Sequence, residues 1–200
     1  CKKLFGNDVE ITLFKYIEEI DNAVNENPPD ILAMSNYAWC HRIGREISKI
    51  FSKLNPNGII VWGGPNFPLD LPSQENFFRN NSIIDIYVPV EGEIGFANVV
   101  KKALAVRSKG EFRNRMLEEP IDGCITRLKN GKLQYSTSPI RTKQLDDIPS
   151  PYTSGLLDEF FDGKLSPMIQ TNRGCPFSCT FCVDGSDLVN KVNSFSNERI

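Results

Sequence analysis

Apolar and polar positions change rhythm several times over the first 110 residues, and each change marks a predicted element. Val9, Ile11 and Leu13 alternate with polar neighbours, which predicts a strand over 9–14. Ile17, Ile20, Ala23 and Val24 then recur at helical spacing. Asn27-Pro28-Pro29 ends that helix, because proline brings no amide donor to it. ILAMS at 31–35 is a short apolar run of the kind found in buried parallel strands. A helix follows from about His41 to Leu54, with Ile43, Ile47, Ile50, Phe51 and Leu54 on one face. IIVW at 59–62 predicts a second buried strand, which runs into Gly63-Gly64-Pro65. A short helix is expected near Gln74 to Arg79, a strand over 84–88, and a helix opening at Glu91-Gly92-Glu93 and reaching about Val106.

This alternation predicts an α/β fold with a parallel sheet flanked by helices. After Gly110 the texture changes. Asn130-Gly131 between 125–128 and 133–135 is a hairpin signal. Residues 137–166, with Pro139, Pro149 and Pro151, read as a linker holding a short helix at Leu156 to Phe161. PMIQT at 167–171 predicts a strand leading straight into RGCPFSCTFC at 173–182. The chain therefore divides into an α/β domain over 1–110, a hairpin and linker over 111–165, and the start of a further domain over 166–200.

Composition narrows the partners. The chain has 200 residues, a net charge of -2 and 24% charged residues. Without excess Lys and Arg, broad binding to nucleic acid or anionic membranes is not expected. No apolar run approaches the ~20 residues of a membrane helix, and no signal-peptide pattern opens the chain. The first residue is Cys1 and the last residues, NSFSNERI, read as the approach to a helix. Both features lead us to expect an internal piece of a longer protein. Of six cysteines, three are scattered (Cys1, Cys40, Cys124) and three share one loop. Such clustering fits metal or redox chemistry in a reducing cytoplasm better than a disulfide framework.

Cys175, Cys179 and Cys182 form C-x-x-x-C-x-x-C. A structural zinc site wants four ligands, and the one histidine, His41, is far away in sequence. Three thiolates can instead hold a cubane iron–sulfur cluster and leave one iron without a protein ligand. The segment TNRGCPFSCTFC, with Phe181 before the last cysteine, resembles the radical S-adenosylmethionine (radical SAM) superfamily. The resemblance implies that Cys175, Cys179 and Cys182 hold a [4Fe-4S] cluster. Its open iron would chelate S-adenosylmethionine, whose reductive cleavage yields a 5′-deoxyadenosyl radical. It also implies Phe181 as a neighbour of the adenine and an electron donor such as flavodoxin or ferredoxin.

The region in front resembles the cobalamin-binding domains that precede many radical SAM domains. The residues that carry this are Gly63-Gly64-Pro65 after one strand, Glu91-Gly92-Glu93 after another, and the Leu145-Asp146-Asp147-Ile148-Pro149 linker. The resemblance implies a flavodoxin-like (Rossmann-like) domain with cobalamin over the strand ends, then the first strand and cluster loop of a partial (β/α) barrel. Its implied contacts are Ser35, Asn36, Tyr37, Trp39, Gly63, Gly64, Pro65, Glu91 and Gly92. It further implies that a strand and helix carrying the centre of the sheet would precede residue 1. His41-Arg42-Ile43-Gly44 has the H-x-x-G half of a cobalt-binding motif, but Trp39 stands in the aspartate place, so a first-turn or loop role is the better expectation.

The function implied is that of a cobalamin-dependent radical SAM enzyme, acting on a small-molecule or other unidentified substrate and methylating an unactivated carbon. One alternative keeps the radical chemistry and makes the front domain a scaffold without cobalamin. Another resembles the tRNA methylthiotransferases, with Cys1, Cys40 and Cys124 as a second ligand set. A third is a non-catalytic cobalamin- or metal-binding regulator.

Overall fold

A computed structural model describes residues 1–136, 141–182, 185–186 and 189–200. They form two compact units, 1–141 and 142–200. Pro139, part of the expected linker, lies outside the described residues.

The first unit is organised by three parallel strands, β1 (Ile31–Ser35), β2 (Ile59–Gly63) and β3 (Ile86–Val88). Two antiparallel strands, β4 (Ile125–Arg127) and β5 (Leu133–Tyr135), continue the sheet in the order β1-β2-β3-β4-β5. The expected hairpin thus forms at Asn130-Gly131, and it is bonded into the sheet edge through Ile86↔Thr126 and Tyr87↔Ile125.

The two-residue period of the strands supplies two cores. Ile60 and Trp62 of β2 and Tyr87 of β3 face one side with Ile47, Phe51 and Phe78. Ile59, Val61, Ile86 and Val88 face the other with Val99, Met116 and Leu117. The first side is covered by α2 (Ile17–Glu26), α3 (His41–Leu54) and α4 (Leu71–Asn80), and the second by α5 (Gly92–Val106) and α6 (Phe112–Met116); a four-residue turn, α1 (Lys2–Phe5), precedes them all. Both faces are covered, which is why β2 reads as an unbroken apolar run. Trp62 and Phe51 are at most 1% exposed, and each such side chain contributes about 1.5–3 kcal/mol by leaving water.

At the opposite end from the glycine loops, Asp85 is buried at the start of β3. Arg113 of α6 grips its two oxygens and also donates to the Gly58 carbonyl, while the Ile60 amide donates to Asp85 Oδ2 at 2.9 Å. Burial raises the Asp85 carboxyl above its ordinary range, with Arg113 and the Ile60 amide pulling the other way. The pair ties β2, β3 and α6 together.

Three expectations need correction. Residues 9–14 do not form a strand. Val9 is extended, and Val9, Ile11 and Leu13 are half-buried while Glu10 and Thr12 between them are exposed, but no described strand pairs with them. Alternation sets which side of an extended chain is apolar; a strand also needs a bonded partner. Residues 167–171 are likewise not a strand. They are exposed, and pairing begins only at β6 (Asn172–Arg173), antiparallel to β7 (Asn193–Ser194). The Tyr152 hydroxyl holds the extended segment instead, donating to the Met168 carbonyl at 2.7 Å. Finally, the helix expected over 156–161 is a single 3-10 turn, Asp158–Phe160.

The second unit is small. Among its described residues, Leu145 and Phe160 are the buried apolar side chains. Its ends are joined by Asn193 Nδ2 donating to Thr142 O at 3.1 Å and Arg199 Nη2 donating to Ile148 O at 2.8 Å.

Candidate functional site

The carboxyl ends of β1, β2 and β3 carry the loops 36–40, 63–66 and 89–92. Ligands of open α/β sheets bind outside such ends. Asn36, directly after β1, is fully buried and joins all three strands. Its Nδ2 donates to the Asn66 carbonyl at 2.6 Å and to the Tyr87 hydroxyl at 3.0 Å. Its Oδ1 accepts from Asn66 Nδ2 at 3.2 Å and lies 2.9 Å from His41 Nδ1. The Tyr87 hydroxyl in turn donates to the Gly64 carbonyl at 2.8 Å. Burial pushes the Tyr87 phenol well above its usual range.

Gly64 has φ 125°, and a Cβ there would stand 2.8 Å from Asn36 O and 3.1 Å from Asn36 N. At Gly63 the nearest neighbour of a Cβ would be Val88 O at 3.1 Å. The glycine pair therefore lets the chain approach its own backbone. Pro65 and Ser35 are exposed beside it.

Tyr37 and Trp39 are different in kind. Their rings stack at 4.8 Å with an interplanar angle of 18°, and Trp39 is 79% exposed. An exposed aromatic pair at a strand end can take the flat face of a large planar ligand. Cys40 closes the loop beneath them, its Sγ accepting from the Tyr37 amide and donating to the Ser35 carbonyl. His41 opens α3 edge-on to Trp62 and Phe77. Gly44, the other half of the H-x-x-G pair, packs under Trp62, whose Cζ2 would be 3.4 Å from an added Cβ.

After β3, Val90 adopts φ 61°, a left-handed conformation that is rare for a β-branched residue. It turns the chain so that Glu91 precedes the first turn of α5. The Glu91 side chain is 8% exposed and accepts from Arg141 Nε at 3.2 Å. Gly92 is exposed, with open space where a Cβ would lie.

The cysteine loop belongs to the second unit. Cys175 is half-buried, its amide donating to the Val189 carbonyl at 3.1 Å. Cys179 and Cys182 are exposed, as is Phe181 at 90%. The Cys182 amide donates to Cys179 O at 3.2 Å, forming a turn that brings the two positions onto one bend. Among the described residues, no three His, Cys, Asp or Glu side chains are gathered as a metal site. The three thiols are soft ligands carried on one short loop, so their chemistry fits an iron–sulfur cluster.

Cys1, Cys40 and Cys124 occupy separate settings. Cys124 is buried, its thiol donating to the Gly95 carbonyl at 3.5 Å, and burial pushes it up to about 12.

Several residues that organise these loops were not singled out from the sequence. Asn66 and Tyr87 carry no local signal, because their partners lie 30 and 51 residues from them. Gly185 could have been suspected from its place just past the cysteines. A Cβ there would meet Cys179 O at 2.6 Å and Cys179 N at 2.8 Å. Gly174, at φ 101°, sits as tightly under Lys191 O.

No protein-family model matches the chain. Among curated proteins it is similar to the cobalamin-dependent radical SAM methyltransferase TokK of Streptomyces tokunonensis, 29% identical over 92% of this chain and 26% of that protein. It is similar to the 2-(S-pantetheinyl)-carbapenam-3-carboxylate methyltransferase of Streptantibioticus cattleyicolor, 28% identical over 98% of this chain and 28% of that protein. An uncharacterized methyltransferase of Pyrococcus horikoshii is 27% identical over 91% and 37%. The chain is thus a distant homologue of radical SAM-superfamily methyltransferases, and it spans about a quarter to a third of the length of these relatives.

Proposed function

We propose that the protein is a cobalamin-dependent radical SAM methyltransferase, in which this stretch of chain supplies the cobalamin-binding domain and the cluster loop. The observation that carries the reading is the loop Cys175-x-x-x-Cys179-x-x-Cys182. It lies on a chain that aligns over nine-tenths of its length with a relative named for both cofactors. Cys175, Cys179 and Cys182 hold the [4Fe-4S] cluster, with Gly174 and Gly185 keeping the loop backbone close-packed. Phe181 stands ready to cover the adenine of S-adenosylmethionine. Tyr37 and Trp39 face the corrin, Gly92 leaves room beside it, and Asn36 and Gly64 hold the loops in register. When bound, the cluster with S-adenosylmethionine supplies a carbon-centred radical, and cobalamin supplies a methyl carrier. An external flavodoxin or ferredoxin provides the electron. The substrate is a small molecule presented by parts of the protein beyond these residues, in the cytoplasm.

A second reading keeps the cluster and treats the front domain as a scaffold without cobalamin. It draws on Gly64, whose close approach is to Asn36 and not to open space.

Anaerobic reconstitution of the full-length protein tests both. About four iron and four sulfide per chain are expected, lost in the triple alanine variant of Cys175, Cys179 and Cys182. Zinc in their place would sink the radical reading. Uptake of hydroxocobalamin, read from its visible spectrum, separates the first reading from the second.

A further inference from the structure

The hydrogen bonds at the strand ends determine which nitrogen of His41 carries its proton. Asn36 Nδ2 faces a carbonyl, Asn66 O at 2.6 Å, so the amide cannot be turned the other way round without setting two acceptors together. Its second hydrogen goes to the Tyr87 oxygen, whose own proton is committed to Gly64 O. Asn36 Oδ1 is therefore an acceptor only, and His41 Nδ1, 2.9 Å away, must donate to it. In the neutral ring that leaves Nε2 with its lone pair. Among the described residues Nε2 has no hydrogen-bond partner.

We propose that this network holds His41 as the Nδ1–H tautomer so that Nε2 accepts a hydrogen bond from an amide N–H donor of the ligand at the strand ends. On the reading above, which this inference rests on, that donor is a carboxamide side arm of the corrin. His41 is then a binding residue set by Asn36, and neither a cobalt ligand nor a mere first turn of α3.

The test uses the full-length protein with histidine labelled in nitrogen-15. A two-bond proton–nitrogen correlation spectrum reads the tautomer, and the His41 signals are those lost in His41→Asn. The expected result is a protonated Nδ1 and an unprotonated Nε2 without cobalamin, and a shift of Nε2 alone on adding hydroxocobalamin. His41→Asn places an amide N–H near where Nδ1–H was and removes Nε2. It is expected to weaken hydroxocobalamin binding by roughly 2- to 10-fold, the worth of one hydrogen bond, while the Asn36 side-chain amide signals stay in place. An Nε2–H tautomer overturns the inference by itself, as does unchanged affinity in His41→Asn. Wild-type protein that takes up no corrinoid overturns the cobalamin reading and the ligand half of this inference, and the tautomer spectrum distinguishes that outcome from the first.

Discussion

A pulse of thiol alkylation on the full-length protein, with and without reconstituted iron and sulfide, reads the cysteine assignments directly. The structure sets three reactivity classes. Cys179 and Cys182 are exposed; Cys1, Cys40 and Cys175 are half-buried; Cys124 is buried. The thiolate is the nucleophile. With its thiol pushed up to about 12, Cys124 holds roughly one part in ten thousand as thiolate at pH 8. An ordinary thiol near 8.5 holds about a quarter. The difference is a factor of roughly two to three thousand before exclusion of the reagent by burial is counted. A one-minute pulse that labels Cys179 and Cys182 to completion should leave Cys124 unlabelled, as read by mass spectrometry of the digest. Reconstitution should then protect Cys175, Cys179 and Cys182 together, and leave Cys1 and Cys40 as reactive as before. Labelling of native Cys124 at the rate of Cys179 would refute the burial argument. Continued labelling of Cys175, Cys179 and Cys182 after reconstitution would refute the assignment of the cluster loop, and protection of Cys1 and Cys40 beside them would favour a second ligand set.

Other outcomes follow from the same geometry. Because the unfolded chain loses the Cys124 proton near pH 9 and the folded chain near 12, stability should fall as pH rises through that window, by up to about 4 kcal/mol; Cys124→Ala should flatten the slope in denaturant titrations. The raised Tyr87 phenol acts in the same direction at higher pH. Arg113→Met leaves the buried Asp85 carboxylate without its partner and should destabilise the first unit by about 3 kcal/mol, and Asp85→Asn on that background should restore part of it. Gly185→Ala should lower iron per chain without changing hydroxocobalamin binding, because the nearest atoms to its Cβ are the backbone of Ser178 and Cys179 in the cysteine loop. Trp39→Ala should leave the thermal midpoint within a degree or two, since the ring is 79% exposed, yet reduce corrinoid uptake.

Where the sequence was most legible, one element explained its own pattern. β1, α3 and β2 fall where the apolar runs and the helical repeat place them; β2 is covered on both faces as its run implies, whereas β1 lies at the end of the described strand order with Leu32 alone buried, so the expectation of a buried strand at 31–35 is corrected there. The extended segments 9–14 and 167–171 are not strands for different reasons. The alternation at 9–14 describes a face with no described strand paired to it, whereas 167–171 is exposed throughout and meets the end of β7 through the Phe195 amide donating to the Thr171 carbonyl at 3.0 Å. The hairpin was legible in Asn130-Gly131, but its attachment to β3 was not, since that depends on the register Ile86↔Thr126 across 40 residues. In the same way the cysteine spacing is a signal carried within one loop, while the Asn36 network is built from residues that only folding brings together.

That network changes what the glycine-rich strand ends mean. Gly63-Gly64-Pro65 and Glu91-Gly92-Glu93 invite a reading in which every residue touches the ligand. Yet Asn36 and Glu91 are spent on protein partners, and Gly64 makes room for the Asn36 backbone. These residues form a frame. Among the described residues, groups with a side open to a ligand include the Tyr37–Trp39 stack, Gly92 and the second nitrogen of His41, beside the exposed Ser35 and Pro65. A frame fails all at once, because its members share hydrogen bonds, whereas contacts fail one by one. Asn36→Ala and Gly64→Ala should therefore each lower corrinoid uptake and folding stability together, and their double variant should cost less than the two added. Trp39→Ala and His41→Asn should instead lower affinity additively while the fold stands. Additive losses for Asn36 and Gly64 would mean that these two residues touch the ligand independently and that the shared frame does not exist.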